Sequence, residues 1–493
     1  MERLKKVGDV KKFASKEIHH SRLGIGFEKL DRMAFDPENA YDKVAAVGVK
    51  WVRIQSGWAR TEKEKGVYSF EWLDSIVDNL VDRGLKPWIC LCYGNALYNE
   101  RAAKVFGAVG CPPQAEEERA AWSRYVTAVV KRYTGKVDWY EVWNEPDGVW
   151  CWKHGPSGAE YGELVKLTAA AVKQGNPEAK VIGGSQCKFG LEWLSAMLAT
   201  GAAEVMDGYT YHNYLAHEEI LPAMVRSISA LVHWYNPKIK IIQGETGTQS
   251  RSDGSGALRG GAWTQLKQAK FMARHTITDF RNNVMFSSYF SCLDMMEALN
   301  GTVGDTASYK DFGYFGILGA DFDENGKATG SYSPKLSYRT LQTLSSVFRE
   351  DFELADLPVY LGCEPSQRIL GQEELASHFT QVGFSKPNGS YAFAYWKPTD
   401  LMTETFDSTI TIHTAALPGK PHLVDLLDGC VYEIPDSMIQ RSSAAKKIGL
   451  DGTVTMIPEE QTFDPKLNYY CFHQLPVRDY PLLLTFGDFA DIE

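Results

Sequence analysis

From about residue 22 to residue 348, short apolar runs alternate with stretches whose apolar residues recur every three or four positions. The runs span 22–28 (RLGIGFE), 49–55 (VKWVRIQ), 86–93 (KPWICLCY), 137–143 (VDWYEVW), 179–185 (AKVIGGS), 206–212 (MDGYTYH), 238–245 (KIKIIQGE) and 283–290 (NVMFSSYF). Their length and their content of Val, Ile, Tyr and Trp read as strands. Their starts lie 27 to 51 residues apart, room for a strand, a helix and two loops in each unit. The stretch Phe70 to Gly84 has helical spacing and a glycine stop, and Tyr161 to Gln174 behaves the same way before Asn176-Pro177. Eight strands alternating with helices predict an α/β fold, a (β/α)8 TIM barrel. A doubly wound sheet is the alternative, and the count of eight argues against it.

The pattern changes after Ser333 to Leu344. Residues 357–493 carry short strand-like runs, such as Ser390 to Trp396, Thr409 to His413 and Leu482 to Phe486, with little helical period. Turns such as Pro387-Asn-Gly-Ser390 and Asp451-Gly452 separate them. An antiparallel β-sandwich is expected there. The boundaries are residues 1–348 for the barrel, with a short N-terminal extension, and 349–493 for the accessory domain.

Composition narrows the partners. The 493 residues are 44% hydrophobic and 23% charged, ordinary for a globular chain. A formal net charge of −10 argues against nucleic acid or an anionic membrane. No run reaches 18 apolar residues, so no membrane span is expected. Nine scattered cysteines without CxxC spacing favour reduced thiols over disulfides or a zinc site. The first ten residues have charges but no apolar core of a signal peptide, so a cytoplasmic location is expected. Aromatics make up 12% of the chain; they fill a large core or offer faces on which sugar rings stack.

The chemistry concentrates at two strand tips. Trp139 to Val142 runs into Trp143-Asn144-Glu145-Pro146, where the proline ends the strand. One hundred residues later, Ile239 to Gly244 ends in Glu245. Strand C-termini form the reactive face of such a barrel. Two glutamates on opposite sides of its mouth suit cleavage of a glycosidic bond by a carboxyl pair.

Trp139 to Gly148 resembles the acid/base strand of clan A glycoside hydrolases. With Val149 to Lys153, Ala159 to Tyr161 and Asn176 to Gly184, the segment is similar to glycoside hydrolase family 39, which includes β-xylosidases. The resemblance covers residues 22–345. It implies Glu145 as acid/base, Glu245 as nucleophile, and a retaining, exo-acting O-glycoside hydrolase that removes terminal sugars such as β-xylosyl. The family usually carries a bulkier polar residue after the nucleophile. Here Thr246-Gly247-Thr248 follows, which leaves the sugar preference open.

Other side chains join the candidate site as substrate-binding groups. Asn144 can donate to a sugar 2-hydroxyl. Arg53 shares a strand face with Trp51 and Gln55, points inward, and needs a carboxylate partner. The clan resemblance places such an arginine beside the nucleophile. His212 and Tyr214 end strand six, and Tyr289 and Phe290 end strand eight as candidates for a stacking floor. Trp150 and Trp152 are candidate walls of the leaving-group subsite, and Glu28 and Asn95 candidate contacts to hydroxyls. No metal-ligand spacing and no phosphate loop is present, so no metal or cofactor is expected. The expected partner is an oligosaccharide or glycoside, and assembly of the chain into a homo-oligomer is left open. The rival readings are an endo-acting polysaccharide hydrolase and a catalytically silent carbohydrate-binding protein.

Overall fold

The computed structural model describes all residues except 2, 298–299, 363–377, 416, 444–445 and 457–467. Eight parallel strands close into a barrel: β1 (Leu23–Gly26), β2 (Trp51–Gln55), β3 (Lys86–Leu91), β4 (Trp139–Val142), β5 (Lys180–Gln186), β6 (Gly208–His212), β7 (Lys240–Thr246) and β8 (Ser287–Tyr289). Each falls within or overlaps one of the expected runs. A helix follows each: α1 (Tyr41–Ala46), α2 (Glu71–Asp82), α3 (Glu116–Arg132), α4 (Gly158–Gly175), α5 (Leu191–Ala199), α6 (Leu221–Tyr235), α7 (Gln265–Arg281) and α8 (Leu336–Val347). Helix α2 buries Leu73, Ile76, Val77 and Leu80. It stops at Gly84, whose φ of +80° is the left-handed backbone glycine tolerates best.

Period two decides what fills the barrel. Trp51, Trp88, Trp139, Ile182, Ile242 and Phe286 cluster inside it. Trp51 stacks on Phe286 with ring centroids 4.4 Å apart. Two residues further along the strands, on the same inner face, stand Arg53 and Glu141, both fully buried. An aromatic plug thus floors a charged layer, and the strand tips open above it.

The described residues form two compact units, Lys12–Ser345 and Met1–Lys11 with Ser346–Glu493. The first eleven residues, read from sequence as an extension of the barrel, belong to the second unit. There Lys5–Asp9 pairs antiparallel with Cys430–Glu433. That unit is an antiparallel β domain. Its seven-stranded sheet runs Lys5–Asp9, Cys430–Glu433, Pro421–Asp425, Leu482–Phe486, Tyr391–Trp396, Thr380–Ser385, Glu353–Leu354. A four-stranded sheet runs Val359–Gly362, Ser408–Ala415, Asn468–Val477, Ile439–Ser443. Phe472 of the smaller sheet meets Phe486 of the larger at 6.3 Å between ring centroids.

Candidate active site

Strand β4 ends in a strained turn. Trp143 and Glu145 take φ of +63° and +46°, unfavourable for side chains with a Cβ. Such strain gathers where a tip must aim its side chains. Pro146 cannot continue the ladder. Asp147 fixes the far side of the turn by accepting from the backbone N–H groups of Cys187 and Lys188, after β5.

Arg53 organises the layer beneath. Its Nη1 donates to Glu245 Oε2 at 2.6 Å and to Glu28 Oε1 at 3.2 Å. Its Nε reaches Glu141 Oε2 at 2.8 Å and its Nη2 reaches Asn144 Oδ1 at 2.8 Å. The Ser185 and Thr210 hydroxyls donate to the other oxygen of Glu141. Glu141 was not singled out from sequence. The signal was available: it is a charge inside an apolar strand, two residues before Trp143, and the inward logic applied to Arg53 applies to it.

Glu245 accepts from Arg53 on one oxygen and from the Tyr214 hydroxyl on the other. Burial pushes its pKa up, but His212, Arg53 and Tyr214 outweigh burial and hold it below the usual carboxylate range. Tyr214, buried beside that charge, is pushed far above the usual phenol range. His212 Nδ1 lies 3.0 Å from Glu145 Oε1 and 3.8 Å from Glu245 Oε2. Burial pulls the pKa of His212 down, yet the Glu245 and Glu145 carboxylates raise it overall. The other oxygen of Glu145 accepts from Trp150 Nε1 at 2.5 Å. Glu145 and Glu245 face each other with carboxylate oxygens within 4.8 Å.

The remaining candidates divide. Asn144 stands in the cluster, its carbonyl on Arg53 and its amide 3.8 Å from Cys151 Sγ. Trp150 is 37% exposed, with Lys188 over its ring and its N–H on Glu145. Phe290 takes the Lys29 ammonium over its ring at 5.1 Å and packs on Phe315, which in turn meets Tyr214. Lys29, missed from sequence, is buried, pairs with Glu297 at 3.2 Å, and adds to the cations acting on Glu245.

Three candidates sit away from the two glutamates. Tyr289 is buried between the Thr248 N–H and Gln268 of α7, because alternation turns it to the outer face of β8. Trp152 is buried against Tyr161 and donates to Glu160, both on α4. Asn95 spends its amide on Glu62 and Trp58 carbonyls and its oxygen on Leu97 N–H, so it ties loops together. Glu28 is buried below the mouth on Arg53.

Among the described residues, Glu145, His212 and Glu245 are the one set of His, Cys, Asp and Glu close enough to share an ion. Each is already engaged, and the Arg53 guanidinium at 2.6 Å from Glu245 opposes a cation there.

The barrel carries a carboxyl pair at its mouth with an arginine beneath. Residues 36–214 match the model of glycosyl hydrolases family 39. Over those residues the chain is similar to that family. A β-xylosidase of Geobacillus stearothermophilus is 30% identical over 143 residues, 27% of this chain and 28% of that protein. The match therefore spans less than a third of the relative's length. A family 39 glycoside hydrolase from Bacteroides cellulosilyticus WH2 superposes with a TM-score of 0.64 at 17% identity, over 97% of this chain and 83% of that one. A monomeric beta-xylosidase from Caulobacter crescentus CB15 gives 0.56 at 17% identity over 97% of both chains. At these identities the two structures establish the shared fold.

Proposed function

We propose that this protein is a retaining O-glycoside hydrolase with Glu145 as acid/base and Glu245 as nucleophile. The observation that carries this reading is the approach of their carboxylate oxygens to within 4.8 Å. A retaining pair stands about 5–5.5 Å apart, whereas an inverting pair leaves about 6.5–9.5 Å for a water. The ionised state of Glu245 supports its role, since a nucleophile must begin unprotonated.

In the first step Glu245 attacks the anomeric carbon while Glu145 gives its proton to the leaving oxygen. Arg53 and Tyr214 hold Glu245 in place. In the second step Glu145 takes a proton from water, which displaces Glu245 and restores the carboxylate. Asn144, fixed by Arg53, presents its amide beside Glu145, and Trp150 forms a wall on the leaving-group side. Exo-action on a terminal sugar such as β-xylosyl is proposed from the β-xylosidase activity named for two relatives.

Cys90, Cys92, Cys111, Cys151, Cys187, Cys292 and Cys430 are free thiols, which supports a reducing compartment such as the cytoplasm; Cys363 lies outside the described residues. No helix among them is long and apolar enough to cross a membrane.

A panel of 4-nitrophenyl glycosides, both anomers of each sugar, tests the reading. One β-anomer, with β-xyloside the first candidate, should be hydrolysed with retained configuration in the first-formed sugar. An inverted product, or no hydrolysis of any glycoside, would overturn it.

A further inference from the structure

Arg53 faces three carboxylates, and they are not equivalent. Glu141 receives two hydroxyl donors on Oε1 and the guanidinium on Oε2. Glu245 receives Tyr214 and Arg53. Every contact in these two sets is a donation to the carboxyl, as an ionised carboxylate requires. Glu28 differs. Its Oε1 takes a 3.2 Å share of the Nη1 that stands 2.6 Å from Glu245. Its Oε2 is sealed from solvent and has no hydrogen-bond partner.

That oxygen lies over Gly26, where an added Cβ would stand 2.0 Å from it. Glycine at 26 is what lets the carboxyl fold back against its own strand. Arg53 already serves two other carboxyl groups, Glu141 and Glu245. A third, with Oε2 buried and bare, would carry a desolvation penalty that the shared 3.2 Å contact on Oε1 offsets only in part. A proton on Oε2 removes that penalty.

We propose that Glu28 is the proton-holding, positioning residue of the Arg53 cluster: neutral, it leaves Nη1 to Glu245, and ionised, it competes for Nη1 and slows the second half-reaction. This inference rests on Glu245 being the nucleophile. In that half-reaction water adds to the anomeric carbon and Glu145 takes its proton. The bond from carbon to Glu245 breaks, and its electron pair returns to Glu245. Glu28 makes and breaks no bond to the sugar. With Glu28 neutral, the pair lands beside an Arg53 shared only with Glu141. With Glu28 ionised, it lands beside a guanidinium already matched by two carboxylates.

The surroundings of Glu28 fit this role. Arg53 faces it from β2, Glu245 from β7, Tyr214 from the segment after β6 and Cys292 from the segment after β8, while the neighbouring Lys29 is committed to Glu297. Burial lifts the carboxyl to about 7, with Arg53 pulling it down and the Glu245 charge pushing it up. The alkaline limb of turnover then belongs at least in part to Glu28.

Glu28→Gln keeps shape and stays neutral. With an activated aryl glycoside, which makes the first half-reaction fast, wild-type kcat should fall above neutral pH. A burst of released phenol should appear there as the glycosyl-enzyme accumulates. In Glu28→Gln the limb should move up by at least about one pH unit and the burst should vanish in that range, with the plateau rate lowered by no more than about tenfold. An independent arm needs no turnover. Wild-type protein labelled with 13C at the glutamate carboxyls should show one signal with a midpoint near neutral pH, absent from Glu28→Gln. An alkaline limb unmoved in Glu28→Gln, or a wild type with no glutamate titrating near neutrality, overturns the proposal. Should the wild type hydrolyse no glycoside, the functional reading fails instead, and the titration alone decides whether Glu28 holds the proton.

Discussion

Replacing Arg53 with methionine keeps an apolar stem out to the position of Nε, and removes the guanidinium from Glu245, Glu28, Glu141 and Asn144. For Glu245 the loss is one charged hydrogen bond at 2.6 Å. Such a bond is worth about 1.5–3 kcal/mol, or about ten- to a hundredfold in the ratio of ionised to protonated Glu245 at a fixed pH. His212 and Tyr214 remain, so ionisation is weakened and not abolished. The acidic limb of kcat/KM, which reports the free enzyme, should move to higher pH, and the maximal rate should fall about 10²–10³-fold. Stability should respond with a defined sign. A carboxylate held low by a partner stabilises the fold above its unfolded pKa, and that contribution is lost as pH falls through its folded pKa. The variant should therefore be destabilised most at neutral and alkaline pH, by about 3–5 kcal/mol for an uncompensated buried charge. The gap to wild type should narrow in acid. Activity–pH profiles and thermal melts at pH 3 and pH 8 measure both effects. An acidic limb that stays in place, or a gap that widens in acid, refutes the assignment of Arg53 as the cation of the nucleophile.

Glu245→Ala should abolish turnover, and added azide should yield a glycosyl azide of inverted configuration. Glu145→Ala should retain activity on good leaving groups and give the azide of retained configuration; the opposite pairing in product analysis would reverse the two roles. Trp150→Ala should raise KM for bulky leaving groups more than for small ones. Trp152→Phe should instead lower the melting temperature, through the lost bond to Glu160, and leave that preference as it is. Glu28, lifted from 4.5 to about 7, opposes folding increasingly as pH rises across that interval. At about 1.36 kcal/mol per pH unit, Glu28→Gln should gain on the order of 3 kcal/mol over wild type between pH 4 and pH 8. Equal gaps at the two pH values would show that folding does not raise Glu28 above its unfolded value.

The barrel was legible because each strand is a compact apolar run, and because buried parallel strands need no alternation to be seen. Glu145 was legible because a proline ends its strand. What escaped was whatever depends on which way a side chain turns. Tyr289 and Phe290 are adjacent, yet Tyr289 meets Gln268 of α7 while Phe290 meets Lys29. Trp150 and Trp152 differ in the same way, one on Glu145 and one on Glu160. Alternation along β8 separates the first pair, whereas in the turn after β4, with Trp143 and Glu145 at positive φ, no period fixes where Trp150 and Trp152 point. Glu141 and Lys29 escaped because their partners lie far along the chain, in Arg53 and Glu297.

The strand Lys5–Asp9 has a consequence for the order in which the chain can be built. Lys5 pairs with Glu433 and Asp9 with Cys430. On the ribosome this edge emerges before the barrel and waits through the whole of it for its neighbour. A barrel expressed alone from Lys12 to Ser345 carries no such waiting edge, while one cut at residues 1–348 carries a strand whose partner never arrives. An unpaired edge invites pairing between copies. The shorter piece should thus be the less prone to aggregate, although the two differ by only eleven residues at one end and three at the other.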